Sequence, residues 1–234
     1  MVILALFLVA TVVYYIVTDI ELMKKGVNSV SKREIYSSIL FTQWALVGIL
    51  IVFWALIDIP YEQLVFIDAG KNTISWIQNS NLMWGFIGGA ALSVIVLPLV
   101  MKSDKPNPSL EKIDFMLPKT KIERVTFFFI AVTAGVCEEI IFRGAATYFF
   151  MNVSFELPMW AVGVCGALLF GLAHWYQGLS GIVTTSILGY ALFLIYVQTG
   201  SLLIPIILHF LIDVKFVFMP EWRKGQQLKV DEGI

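Results

Sequence analysis

Charged residues are scarce in this chain: 14% of its 234 residues are charged, whereas 59% are hydrophobic. A soluble domain carries about 25% charged residues, so the composition excludes an ordinary soluble protein and indicates an integral membrane protein. The net charge of −1 gives no electrostatic basis for binding nucleic acid. The only two cysteines, Cys137 and Cys165, lie in apolar runs without metal-binding spacing, and we interpret them as small buried side chains.

We expect no cleavable signal peptide, because the first apolar run lacks a basic segment before it and an A-x-A cleavage site after it. We interpret that run as a retained first span. Hydropathy predicts seven spans, over residues 2–18, 36–57, 82–101, 125–150, 158–175, 179–198 and 201–219. Their uninterrupted apolar character excludes a β-barrel. The predicted fold is all-α, a polytopic membrane helical bundle of about seven transmembrane helices, with eight as the alternative.

Lysine and arginine are unevenly distributed between the predicted loops, and this bias orients the bundle. They cluster after spans one, three and seven, whereas the loop after span two holds only Lys71. With seven spans, the three basic segments share one side, which is predicted to be cytoplasmic. We therefore expect the N-terminus outside and the C-terminus in the cytoplasm. The short loops indicate a bacterial plasma membrane.

Three charged residues, Glu138, Glu139 and Arg143, interrupt the apolar run from Val125 to Met151. Each charge at membrane depth costs at least about 2.5–3.5 kcal/mol on insertion scales, so these residues are the first candidates for a function. On a helix, Glu139 and Arg143 lie one turn apart and can form an ion pair. Glu138 points about 140° away from Arg143 and must face something else.

The later spans add few strongly polar side chains, among them the only histidines of the chain, His174 and His209, and also Asp213. A carboxylate and an imidazole in a partly dry cavity can hold and deprotonate a water. A second imidazole and a nearby polar group can donate hydrogen bonds to an oxyanion. Together these are the parts of a hydrolase that attacks an amide with water. Phe170 lies one helical turn before His174 and can pack beside its ring.

Other functions are compatible with the same side chains. A transporter or proton relay would also use buried charges, although the sequence lacks the internal repeat of many transporters. Two histidines could hold a haem, but that leaves the glutamates and the arginine unexplained. Zinc could bind to two histidines and a glutamate, yet no H-E-x-x-H motif is present. We therefore prefer water activation without a metal, and predict no cofactor. A non-catalytic membrane protein of bacteriocin immunity is a further alternative.

Three segments, in this order, resemble the motifs of the CAAX protease and bacteriocin-processing (CPBP, or Abi) family of intramembrane proteases. Residues 138–143 resemble the E-E-x-x-x-R motif, residues 170–174 the F-x-x-x-H motif, and residues 209–213 the H-x-x-x-(N/D) motif. The resemblance covers residues 120–215, the expected catalytic core. We expect a single membrane domain over residues 1–234, in which the spans of residues 1–101 carry no motif.

The resemblance implies a glutamate-dependent intramembrane endopeptidase related to the CAAX prenyl proteases. Glu138 would be the general base and His174 would help to hold and activate the water. His209 and Asp213 would form the oxyanion site. The prenyl-protein proteases have Asn where this chain has Asp213. Because an ionised aspartate would repel an oxyanion, Asp213 must be protonated or must instead orient His209.

The remaining motif residues would support this site, and they are Glu139, Arg143 and Phe170. The implied partner is a peptide or membrane-protein substrate, with or without a lipid group, and the site would be surrounded by membrane lipids. A prenylated C-a-a-X peptide is not the expected natural substrate of a bacterial relative.

Overall fold

The computed structural model describes residues 1–25, 29–67, 84–85, 88–89, 92, 113–154 and 156–218. Within these ranges the chain is helical and forms no β-strand beyond one isolated bridge between Phe66 and Ser201. The predicted all-α class is therefore confirmed. Among the described residues, four helical segments are long and apolar enough to cross a membrane, and they cover Val2–Lys25, Lys32–Leu56, Lys121–Met151 and Trp175–Thr199.

The N-terminal part of the fold contains helices α1 (Val2–Lys25), α2 (Lys32–Leu56) and the short α3 (Glu62–Val65). The start of α2 is fixed by a capping box. The Ser31 side chain accepts a hydrogen bond from the Glu34 amide, and the Glu34 carboxylate accepts one from the Ser31 amide. These bonds satisfy two amides that a helix start otherwise leaves unpaired.

The central helical segment consists of α4 (Lys121–Glu139), a π-helical segment (Ile140–Ala145) and α5 (Ala146–Met151). A second capping box, between Thr120 and Glu123, starts α4. The π-helical segment begins immediately after the two glutamates and contains the arginine of the first motif. Single-turn π segments inside α-helices occur frequently at functional sites.

The C-terminal part contains α6 (Met159–Leu172), α7 (Gly178–Thr199) and α8 (Leu203–Val214). Short 3₁₀ turns, Trp175–Gln177 and Lys215–Phe218, follow α6 and α8. At 1.5 Å per residue, α6 and α8 are about 18–21 Å long, shorter than the roughly 30 Å hydrocarbon core.

The predicted count of seven spans is therefore not confirmed by the described helices. The predicted spans 158–175 and 201–219 contain helices of 14 and 12 residues. Both predicted spans extend beyond the end of their α-helix toward or into a 3₁₀ turn. The predicted span 82–101 lies outside the described residues except for residues 84–85, 88–89 and 92.

Close packing of α4 against α8 depends on Gly135. A Cβ at this position would lie 3.1 Å from the Ile206 carbonyl oxygen and 3.2 Å from the Phe210 amide nitrogen. Both distances are shorter than most Cβ contacts, so the two backbones approach as closely as small residues allow. Since the glutamates of the first motif follow Gly135 by one turn, this approach brings them against the histidine of α8.

Three segments meet at one end of the bundle, which we call the basic end. The Lys32 ammonium at the start of α2 donates to the Leu117 carbonyl and lies 3.5 Å from a Glu123 carboxylate oxygen near the start of α4. The Arg124 guanidinium donates to the Val217 carbonyl after α8. The start of α2, the start of α4 and the end of α8 therefore share one side, as the loop charges predicted. Which side of the membrane this is stays a prediction.

Candidate active site

A cavity of about 750 Å³ lies between α1, α2, α4, α7 and α8. The four predicted catalytic residues all line it, and they are Glu138, His174, His209 and Asp213. The lining also includes Lys25, Glu34 and Lys215, so the cavity extends from the buried polar residues to the basic end. Helices that are far apart in the sequence thus line one cavity.

Glu138 lies at the centre of the buried polar residues, and the residue is 8% exposed. Its Oε1 accepts a hydrogen bond of 2.6 Å from Gln43 Nε2. Its Oε2 is buried and has no hydrogen-bond partner among the described residues. This oxygen lies 3.9 Å from His174 Nε2 and 3.8 Å from His209 Nε2. These gaps are too long for direct hydrogen bonds, and a water could bridge them.

His174 lies just after the end of α6, not within a helical span as predicted, and its backbone (φ −106°, ψ 34°) begins the 3₁₀ turn. Its Nδ1 is 2.8 Å from the Phe170 carbonyl oxygen. A carbonyl can only accept, so Nδ1 carries the proton and Nε2 of the neutral ring has a free lone pair. The Phe170 ring packs against the imidazole at 4.7 Å between centroids, which confirms the predicted contact.

The polypeptide just after His174 is tethered to the N-terminal helix. The Tyr176 amide donates a hydrogen bond of 3.1 Å to Asp19 Oδ2 on α1. The Tyr176 ring also lies 6.0 Å from the His174 ring. Helix α1 therefore helps to fix the turn that carries this histidine.

Glu139 contacts two side chains of the site, Arg143 and His209, and is fully buried. Its Oε1 lies 2.8 Å from Arg143 Nη1, which confirms the predicted ion pair. The same oxygen lies 2.7 Å from His209 Nδ1, a contact that the sequence did not reveal. The carboxylate accepts the Nδ1 proton, so His209 presents Nε2 to Glu138 and to the cavity.

The Arg143 guanidinium is held on three sides. Besides Glu139, it contacts the Gly189 carbonyl oxygen at 3.4 Å and lies 4.1 Å from the centroid of the Phe170 ring. Phe170 in turn packs edge-on against His209, with 5.8 Å between ring centroids. The three predicted supporting residues therefore form one buried group that contacts the two histidines.

Asp213 Oδ2 lies 3.6 Å from His209 Nε2, and the side chain is 30% exposed. The predicted common face of these two residues on α8 is thus present. The separation exceeds that of a hydrogen bond. Asp213 lies beside the cavity-facing nitrogen of His209 without being bonded to it.

Gln43 is the functional candidate that the sequence analysis missed, because α2 carries no motif. The available signal was weak: Gln43 is the only carboxamide within the predicted span 36–57. In the described part of the chain, no group of three histidine, cysteine or acidic side chains has an arrangement suited to a metal ion.

Residues 121–214 match the Rce1-like family, described as type II CAAX prenyl endopeptidases. The matched segment begins with α4, ends with α8 and contains all three motifs; α1, α2 and α3 lie outside it. Comparisons with curated proteins and with solved structures give no significant match. The family and the apolar helices together make this an integral membrane protein. The match over residues 121–214 supports the CAAX protease family that the three motifs resemble.

Proposed function

We propose that this protein is an intramembrane endopeptidase that hydrolyses a peptide bond with a water activated by Glu138 and His174. One observation carries the proposal. Glu138 Oε2, which has no hydrogen-bond partner in the described part of the chain, and the His174 Nε2 lone pair face each other at 3.9 Å inside a cavity. A water between them would donate one hydrogen bond to each acceptor, which leaves its oxygen lone pairs for attack.

In the attack step, Glu138 takes a proton from the water while the water oxygen bonds to the carbonyl carbon. The carbonyl oxygen becomes an oxyanion. When the tetrahedral intermediate collapses, the carbon–nitrogen bond breaks and the proton on Glu138 passes to the leaving amine. The same carboxyl thus acts first as base and then as acid, so no serine or cysteine nucleophile is needed.

His209 is suited to stabilise the oxyanion. In its imidazolium form, His209 donates from Nδ1 to the Glu139 carboxylate and carries a second proton on Nε2, which points into the cavity at the side of Glu138. A preorganised donor in a water-poor site is typically worth about 2.7–4 kcal/mol to the transition state. Asp213, beside the same nitrogen, would act with His209 as a second, neutral donor.

The proposed substrate is a peptide or a segment of a membrane protein that enters from the basic end. The cavity of about 750 Å³ falls within the usual range of ligand pockets, about 300–1,000 Å³. Its lining includes the exposed Lys25 and Glu34 and the half-buried Lys215, which supports an approach from that end. The family description supports a test with prenylated C-a-a-X peptides. The same test decides whether the substrate must carry a lipid group.

The purified protein would be incubated with a farnesylated C-a-a-X peptide, the same peptide without the lipid, and a transmembrane peptide. Products would be identified by mass spectrometry. We expect cleavage by the wild type and none by Glu138→Gln, because an amide keeps the shape but cannot take the proton. Glu62→Gln, on the exposed surface of α3, is the matched control. Cleavage by Glu138→Gln, or none by the wild type, would refute the proposal.

Treatment with a chelator distinguishes the preferred mechanism without a metal from that of a metallopeptidase. Both histidines have Nδ1 bonded to an oxygen, an arrangement also common in histidines that bind zinc through Nε2. We expect activity to survive exhaustive treatment with a strong chelator. If the chelator abolishes activity and added zinc restores it, a metal-assisted mechanism replaces the proposed activation of water without a metal.

A further inference from the structure

Gln43 lies on α2, outside the segment that matches the family, yet it contacts the proposed general base. Its residue is 5% exposed, and Nε2 donates to Glu138 Oε1 at 2.6 Å. Its own Oε1 is buried and has no hydrogen-bond partner among the described residues. The bond to Glu138 is therefore the one described polar contact of the Gln43 side chain.

The chemistry of the two groups fixes the direction of this hydrogen bond. A carboxylate only accepts, so the amide nitrogen of Gln43 must face it. With Oε1 occupied in this way, the second oxygen of Glu138 is directed toward His174 and His209. A carboxylate free to rotate would spend part of its time with neither oxygen placed between the two imidazoles.

We propose that Gln43 is a positioning residue for Glu138. It orients the carboxylate so that one oxygen is held and the other receives the proton of the nucleophilic water. The proposal rests on the proposed function of Glu138 as the base. It extends the site beyond the matched family segment to α2, which contributes no motif.

A purely structural role for Gln43, as a polar contact between α2 and α4, can be separated from positioning. The same two helices share a second polar contact, in which Trp44 Nε1 donates to Thr133 Oγ1 at 3.2 Å. Trp44 is adjacent to Gln43 in sequence but does not line the cavity. Trp44→Phe removes that hydrogen bond while it leaves Gln43 and Glu138 untouched, which makes it the matched control.

The experiment measures kcat and KM of the full-length protein on whichever peptide the wild type cleaves. Gln43→Met keeps the length of the side chain but removes the donor. We expect kcat to fall about 10- to 100-fold, the loss typical of one hydrogen bond to a charged group, with KM within about twofold of the wild type. Trp44→Phe should keep both constants within about twofold.

A second variant covers the case in which Gln43→Met does not fold. Gln43→Asn keeps the amide but is one methylene shorter and cannot reach Glu138 in the same geometry, so kcat should again fall with KM unchanged. Thermal unfolding in detergent reports whether each variant is folded.

Full kcat in a folded Gln43 variant would overturn the positioning role. An equal fall in Trp44→Phe would assign the effect to helix packing and overturn it as well. A wild type that cleaves no peptide would instead refute the proposed function, and the role of Gln43 would fall with it.

Discussion

Because Glu138 and Glu139 have different contacts, we expect their replacement by glutamine to affect activity and stability differently. In Glu138→Gln, the new amide oxygen can still accept from Gln43, so the fold should be retained while proteolysis is abolished. In Glu139→Gln, one neutral amide replaces the carboxylate that faces both Arg143 and His209. Its oxygen can take the place of Oε1 between the two donors, but the negative charge that pairs with the buried Arg143 is lost.

The size of the effect follows from burial. Glu139 is 0% and Arg143 2% exposed. Removing one partner of a buried ion pair costs about 3–5 kcal/mol, and the retained amide oxygen places Glu139→Gln at the lower end. For a chain of this length, about 3 kcal/mol corresponds to a fall in melting temperature of about 6–12 °C. Catalysis should fall as well, because an amide no longer fixes the Nδ1 proton of His209. In Ser-His-Asp hydrolases, the corresponding replacement lowers kcat by about 10⁴-fold.

Thermal unfolding and peptide cleavage, measured on the same purified variants, test both parts. The expected pattern is an inactive Glu138→Gln with the melting temperature of the wild type, beside a destabilised Glu139→Gln with at most about 1% of the activity. If Glu139→Gln melts like the wild type and loses all activity while Glu138→Gln stays active, the roles of the two residues are reversed. If both melt normally, the buried Arg143 pair does not stabilise the fold.

Two further predictions concern Asp213 and the topology. Asp213→Asn should keep most of the activity, because an amide can donate as a protonated aspartate would, whereas Asp213→Ala should lose on the order of 10²-fold or more. Cleavage kinetics of the two variants decide this, and a folded but inactive Asp213→Asn excludes the neutral donor. Lys119→Cys, on the exposed connection before α4 at the basic end, should react with an impermeant thiol reagent only after the cells are opened. Labelling of this cysteine in intact cells would show that the orientation is opposite to the predicted one.

The identity of the site was predictable because polar residues are rare in the apolar part of the chain. Glu138, His174, His209 and Asp213 stood out from their surroundings, and ionisable residues within a membrane are candidates for a function. Helical periodicity also predicted the contacts within single segments, such as Glu139 with Arg143. These contacts involve residues four positions apart, for which the geometry of one helix suffices.

Contacts between helices were not predictable in the same way. Glu139 and His209 are 70 positions apart, and Gln43 and Glu138 are 95 apart. No periodicity within one helix relates such residues, since their approach depends on how whole helices pack. The close contact of α4 and α8 at Gly135 is one such determinant. Glycine alone does not indicate which neighbouring helix it will meet.

The sequence also did not predict where the backbone departs from α-helical geometry. The run around Arg143 is uniformly apolar, and no residue in it signals the longer-range hydrogen bonds of the π-helical segment Ile140–Ala145. Likewise, apolar side chains continue past Leu172, where α6 ends, and this placed His174 within a span rather than after it. Hydropathy reports the solvent that a segment prefers and not where its backbone changes conformation.

The placement of Glu138 opposite His209 has a consequence for the total charge of the site during the reaction. Before attack, the proposed base carries one negative charge and the peptide carbonyl is neutral. After attack, the carboxyl is neutral and the oxyanion carries that charge. The negative charge is transferred over a few ångströms while its total stays constant. In a medium of low dielectric constant, creating a new net charge is far more costly than moving an existing one between groups that are already solvated by fixed donors. Proton transfer to Glu138 and bond formation at the carbonyl are therefore expected to be electrostatically coupled, so that neither should proceed far without the other.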